Sequence, residues 1–218
     1  MLDAILFDLD GTILDTLEDL RDACNYAITK YGFNEVTKED VRKNIGNGIL
    51  MLIKRCVNFN LDNIDLMHQR FKEYYSKNCN VHTKPYNDIY ILLDYIKSKR
   101  IKMGVVTNKA YYAAKELIDS HFDGYFDLVL GDQMNIGLER KPNPNIIYYA
   151  MDKLNVSDKN KVLYIGDSDV DIETVCNANI LGAFVSYGYR DKELLLKKTN
   201  SVYDNVSQLL DYVKSLNE

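Results

Sequence analysis

Tryptophan is absent, proline and histidine occur three times each in 218 residues, and no apolar run approaches the roughly 18 residues a membrane helix needs. Scarce proline beside only 11 glycines excludes collagen-like and low-complexity chains. His68, His82 and His121 are scattered, and Cys24, Cys56, Cys79 and Cys176 include no C-x-x-C pair, so no zinc site is legible. The cysteines read as reduced thiols in a reducing compartment. Positive charge is also short: 27 Lys and Arg against 32 Asp and Glu leave a formal charge of −5, poor footing for a broad nucleic-acid face. The first residues carry no basic segment and meet Asp3 and Asp8 early, unlike a signal peptide. No segment repeats at a fixed period. These absences lead us to expect a cytoplasmic protein with neither nucleic-acid nor membrane partners; they leave its oligomeric state open.

What is present is globular. Hydrophobic residues make up 46% and charged residues 27%, and the length suits one domain with a modest second one. Buried-strand patterns, apolar and β-branched, lie at 4–7, 101–106, 126–130 and 161–165, with a fifth at 182–185. Helical spacing falls between them, at Ile89, Leu92, Leu93 and Ile96, at Ala113, Ala114, Leu117 and Ile118, and at Ile146, Ile147, Ala150, Met151 and Leu154. Such alternation predicts an α/β fold, a parallel sheet with helices on both faces. Residues 15–83 break it, since they carry only helix-period patterns such as Leu17, Leu20, Cys24, Ala27, Ile28 and Tyr31. We read that segment as a helical insert, leaving a core of 1–14 and 84–218. The 17 tyrosines fall mostly at helix-period positions and read as packing rather than aromatic recognition.

The unusual residues gather where strands end, the side on which parallel sheets receive ligands. After the first strand comes Asp8-Leu9-Asp10-Gly11-Thr12. That spacing lets two carboxylates share a pocket, one as nucleophile or metal ligand and the other as acid or base. The second strand ends in Thr107-Asn108-Lys109, whose hydroxyl and amide suit phosphate oxygens, although Thr-Asn also caps helices. Lys141-Pro142-Asn143-Pro144 offers a lysine held by proline before a helix. The fourth strand runs into Gly166-Asp167-Ser168-Asp169-Val170-Asp171. Its crowded carboxylates repel one another, and a hard cation such as Mg²⁺ relieves that repulsion. A calcium loop is the rival reading, but its terminal Glu spacing is missing.

In the order and placing of these four motifs the chain resembles the haloacid dehalogenase superfamily, in its branch of phosphatases with a helical cap inserted after the first motif. The resemblance spans essentially the whole chain and implies a Rossmann-like core with an inserted cap domain. It implies Asp8 as the nucleophile that becomes an aspartyl-phosphate, with Asp10 protonating the leaving alcohol and then activating water. Thr107 and Lys141 would hold the phosphoryl group. Mg²⁺ would be bound by Asp8, the carbonyl of Asp10, and Asp167, with Ser168 and Asp171 behind them. Asp10 separates phosphatases from the dehalogenases of the superfamily, which lack a carboxylate there, because an ester oxygen needs an acid and a halide does not.

In the insert, Gly46-Asn47-Gly48 precedes a helix and resembles the substrate-facing cap loop of phosphoglycolate phosphatases, whose amides would greet a small carboxylate. Gly11, Thr12, Asn108, Gly46, Asn47 and Gly48 are therefore expected on the substrate side. The implied activity is Mg²⁺-dependent hydrolysis of a small phosphorylated metabolite. A phosphomutase resembling β-phosphoglucomutase is the alternative, and a catalytically silent binding protein on the same scaffold a more distant one.

Overall fold

The computed structural model describes residues 1–132 and 137–218. It divides into two compact units, Met1–Leu14 with Pro85–Glu218, and Asp15–Lys84. In chain order the first unit begins with β1 (Ala4–Phe7), and β2 (Leu14–Asp15) leads into α1 (Leu17–Ile28), α2 (Lys38–Asn44), α3 (Ile49–Cys56) and α4 (Ile64–Asn78). The chain returns through β3 (Lys84–Pro85), which pairs with β2. Then follow α5 (Ile89–Ser98), β4 (Lys102–Ala110), α6 (Tyr111–His121), β5 (Leu128–Asp132), α7 (Asn145–Lys153), β6 (Val162–Gly166) and α8 (Asp169–Ala178). The last elements are β7 (Leu181–Val185), α9 (Lys192–Leu196), β8 (Val202–Tyr203) and α10 (Val206–Ser215).

Six strands form one parallel sheet in the order β5-β4-β1-β6-β7-β8. Strand pleating sends alternate side chains to opposite faces, and both faces are covered. Ile5, Phe7, Met103, Val105, Leu163 and Ile165 pack with Leu92, Leu93, Leu117 and Leu209 of α5, α6 and α10. Ala4, Leu6, Val106, Val162 and Tyr164 pack with Ile147, Met151, Ile172 and Val175 of α7 and α8. The expected α/β class is therefore observed. After β1 the chain builds outward through β4 to β5 and then crosses to β6 on the other side. That reversal beside β1 opens a crevice at the carboxyl ends of the strands, where ligands bind in such sheets.

Several strands differ from their sequence patterns. The pattern expected to stop at residue 106 continues to Ala110. The one expected from residue 126 starts at Leu128, because Phe126 turns edge-on to Phe7 and Phe122 at 5.8 and 5.9 Å. Strand β8 has only two residues, too few to leave a periodic signal.

In the helical unit, α4 buries Met67, Phe71 and Tyr75 at i, i+4 and i+8, one stripe of a helix, while α1 buries Leu20, Ala23, Cys24 and Ala27. Helix α2 opens on a capping box in which Thr37 and Asp40 exchange hydrogen bonds. The carboxylate of Asp19 accepts from the amides of Val81, His82 and Thr83 and from the Thr83 hydroxyl. It thus ties the end of the insert to its first helix. Among the described residues no helix is long and apolar enough to cross a membrane.

Candidate active site

Four segments deliver side chains to the crevice. Asp8 continues β1, its amide donating to Ile165 O at 2.8 Å. The tight turn behind it needs Gly11, which has φ +82°, and a Cβ there would stand 2.3 Å from Asp167 Oδ2. Gly11 thus lets the turn approach Asp167 closely. Thr12, expected to face substrate, is fully buried, with its hydroxyl unpartnered and its carbonyl accepting from Tyr187 at 3.1 Å.

Thr107 and Lys109 lie two residues apart near the end of β4, where its register against β5 shifts between Val106 and Ala110, and Lys109 N donates to Thr107 Oγ1 at 3.2 Å. Lys109 Nζ donates to Asp10 Oδ1 at 2.9 Å. Between them, Asn108 engages the main chain of Lys141 at both ends of its amide, accepting from Lys141 N at 2.9 Å and donating to Lys141 O at 3.0 Å. That clamp places Lys141, a residue otherwise on the connection before α7.

Lys141 Nζ lies at the centre of the site. It donates to Asp171 Oδ1 and to the Tyr164 hydroxyl, each at 2.7 Å, and lies 3.0 Å from Asp8 Oδ1. The approach to Asp8 pairs the ammonium with a buried carboxylate oxygen. Asp171 is saturated: its other oxygen accepts from the amides of Asp167 and Ser168 and from the Ser168 hydroxyl. Asp167 Oδ2 accepts from Tyr189 N at 2.6 Å.

These contacts set the ionisation. Burial pushes the Asp8 carboxyl up to about 6 even though Lys141 pulls it down. Burial also raises Asp167 well above the usual carboxylate range, and the charges of Asp171 and Asp8 add to that. For Asp171 burial pushes upward too, but the Lys141 ammonium and the Ser168 donors outweigh it and hold the carboxyl low. Lys141 is discouraged by burial, yet Asp171 and Asp8 keep its proton on more firmly than usual.

Four carboxylates, Asp8, Asp10, Asp167 and Asp171, thus face two ammonium groups, Lys109 and Lys141. Oxygens of Asp8, Asp167 and Asp171 lie within 4.8 Å of one another. The excess negative charge and the oxygen-only donor set fit a hard divalent cation. Asp171 contributes to that field while its own lone pairs are already engaged.

Sequence patterns single out Asp8, Asp10, Thr107, Lys141, Asp167, Ser168 and Asp171, and all lie in this one unit. Lys109 and Tyr164 join them without a role having been read for either. The only available hint for Lys109 is its spacing from Thr107, and Tyr164 sits inside an apolar strand like a core residue. Gly46, Asn47 and Gly48 belong to the helical unit, where the two glycines take φ of +125° and +83°. There Asn47 Oδ1 accepts from Arg55 at 2.8 Å.

Residues 5–185 match the family described as haloacid dehalogenase-like hydrolase. A phosphoglycolate phosphatase of Aquifex aeolicus is 34% identical over 188 residues, 85% of each chain. One from Vibrio parahaemolyticus is 31% identical and covers 96% of this chain and 95% of its own. A crystal structure from Lactobacillus delbrueckii subsp. bulgaricus, provisionally assigned as a phosphoglycolate phosphatase, superposes with a TM-score of 0.90 at 30% identity. It covers 98% of this chain and 99% of its own. With strand-end carboxylates around a buried lysine and relatives of this kind, the chain belongs to the haloacid dehalogenase-like hydrolases and is a phosphatase, a phosphoric monoester hydrolase.

Proposed function

We propose that the chain is a Mg²⁺-dependent phosphatase of a small phosphorylated metabolite, a phosphoglycolate-like carboxylate being favoured, and that it works through an aspartyl-phosphate on Asp8. The observation that carries the mechanism is the Asp8 carboxylate at the end of β1 with Lys141 Nζ 3.0 Å from its Oδ1. With that oxygen buried against the ammonium, the carboxylate's other oxygen is the one left to attack phosphorus. The preference for phosphoglycolate is supported by the relatives' names.

In the first step Asp8 bonds to phosphorus as the ester P–O bond breaks, and Asp10 gives its proton to the departing alcohol. In the second, Asp10 takes a proton from water, whose oxygen bonds to phosphorus while the Asp8–phosphorus bond breaks. Ester and water become alcohol and inorganic phosphate, and both aspartates return to their starting states. Lys141 and Thr107 face the charge that spreads over the equatorial oxygens. Lys109 orients Asp10, and Asn108, Tyr164 and Asp171 hold Lys141. Asp8, Asp167 and the main-chain carbonyl of Asp10 would hold Mg²⁺, which when bound neutralises phosphoryl charge as a Lewis acid.

The helical unit is proposed to act as a cap, with Gly46-Asn47-Gly48 recognising the non-phosphate end of the substrate. The cytoplasm is the proposed setting, in keeping with four cysteines that stand as free thiols.

The test is phosphate release with Mg²⁺ across phosphoglycolate, sugar phosphates, nucleotides and pyrophosphate. Phosphoglycolate should give the highest kcat/KM. A sugar phosphate that is isomerised without steady phosphate release would instead establish a mutase.

A further inference from the structure

Strand β7 ends at Val185, and the residues that follow it return to the crevice. The Tyr187 hydroxyl donates to Thr12 O at 3.1 Å, the Tyr189 amide donates to Asp167 Oδ2 at 2.6 Å, and Arg190 Nε lies 3.3 Å from Asp169 Oδ1. Gly188 stands among them. A Cβ there would be 2.3 Å from Gly11 O, 2.5 Å from Asp167 Cβ and 2.6 Å from Asp167 Oδ2. Its φ lies outside the left-handed region, so space rather than backbone freedom demands glycine at this position. Residues 187–190 thus tie the turn after β1 to the turn after β6, although no sequence pattern singles them out.

All this main chain converges on one oxygen. Asp167 Oδ2 is hemmed in by Gly11, by Gly188 and by the Tyr189 amide, since a Cβ on either glycine would fall 2.3 or 2.6 Å from it. We propose that residues 187–190 are a fifth active-site segment, in which Gly188 and the Tyr189 amide are positioning residues that hold Asp167 by Oδ2 and present Oδ1 to a divalent cation. The proposal rests on the Mg²⁺ site proposed above and extends it to the atom that serves and the groups that aim it.

The two oxygens of a carboxylate are equivalent until its surroundings distinguish them, and a side chain free to turn about Cβ–Cγ offers either. A hydrogen bond to one oxygen, in a space with no slack, removes that freedom before the ion arrives. Gly11 O belongs to the main chain of a tight turn and yields little, so a methyl added at residue 188 has to displace the Asp167 side chain.

Gly182, inside β7, supplies the control. A Cβ there would press on Val175 Cγ1 at 2.8 Å and on the Phe184 ring at 2.9 Å, apolar atoms that make no part of the site.

The experiment titrates Mg²⁺ alone into the full chain by calorimetry, with no phosphate ester present. Gly188→Ala should weaken Mg²⁺ binding by roughly 10–100-fold, the loss usual when a group that orients a metal ligand is disturbed. Gly182→Ala should keep the parent affinity even where its melting temperature falls as far. In the ¹⁵N-labelled parent, saturation with Mg²⁺ should move the Tyr189 amide resonance well beyond that of Gly124, on the connection before β5, and this readout needs no variant to fold. Parent-like affinity in Gly188→Ala, equal weakening in both variants, or an unmoved Tyr189 amide in a parent that binds Mg²⁺ would each overturn the proposal. A parent that binds no Mg²⁺ would overturn the metal site itself and this proposal with it, so the two failures are told apart.

Discussion

Lys109 Nζ lies 2.9 Å from Asp10 Oδ1, with the lysine side chain 4% exposed and the aspartate 16%. An ion pair this sheltered restricts where the Asp10 carboxyl can point, and proton transfer to a leaving group depends on that aim. Lys109→Met should therefore lower kcat for alkyl phosphates by roughly 10–100-fold, within the range of general acid catalysis. p-Nitrophenyl phosphate, whose leaving oxygen needs little protonation, should lose much less. Equal losses on both would assign Lys109 to the phosphoryl group itself.

Asp8→Asn should abolish turnover by several orders of magnitude, since an amide is a poor nucleophile. Its circular dichroism should remain that of the parent. Asp10→Asn should instead show the leaving-group dependence expected of a missing acid. Rapid-quench measurement of labelled Asp8 phosphate in the parent and in Asp10→Asn separates attack from release, and Asp8→Asn should carry no label.

Gly11→Ala should be costly at a single carbon. The position has φ +82°, and the new Cβ would meet Asp167 Oδ2 and Cγ at 2.3 and 2.8 Å. Strain of this kind costs roughly 1–3 kcal/mol, and Asp167 has to shift. Thermal unfolding should report the lower stability, and titration calorimetry with Mg²⁺ should show weaker binding than in the parent.

Removing Asp171 should damage more than the reaction. Asp171→Ala strips Lys141 of a buried partner and leaves the amides of Asp167 and Ser168 without an acceptor. Breaking a buried pair in this way costs about 3–5 kcal/mol, a fall in Tm of roughly 6–20 °C for a chain of this size. Tyr164→Phe, which removes one hydroxyl beside the same lysine, should cost only about 1 kcal/mol. Calorimetric scans of both rank the contributions.

Asn47→Ala tests the turn of the helical unit. The substitution removes one of the acceptors of Arg55 and the amide proposed to meet substrate, so kcat/KM for phosphoglycolate should fall relative to a sugar phosphate while p-nitrophenyl phosphate hydrolysis stays near the parent rate. The same loss on every substrate would make the turn a folding element.

Much of the sheet was legible because buried parallel strands are short apolar runs. Strand β1 is found where that pattern lies, and Asp8 and Asp10 are conspicuous as carboxylates just beyond it. What was not legible depends on partners remote in sequence. Asn108 looks like a donor to phosphate until its amide is seen to close on a main chain 33 residues later. Tyr164 alternates correctly for a core position, and only the arrival of Lys141 gives its hydroxyl a purpose. Lys109 lies past the last apolar residue of its run, where the pattern ends but hydrogen bonding to β5 resumes at Ala110.

The position of β1 in the middle of the sheet also sets an order of assembly during synthesis. Its partners are residues 102–105 and 162–165, so the strand leading into Asp8 leaves the ribosome long before either neighbour exists. The helices between residues 15 and 84 make their contacts within one stretch of chain and can form while β1 waits, since local contacts close faster than distant ones. An apolar strand held unpaired for that interval is a natural target for chaperones. Nascent chains stalled before residue 162 should therefore carry Asp8 without any capacity for catalysis.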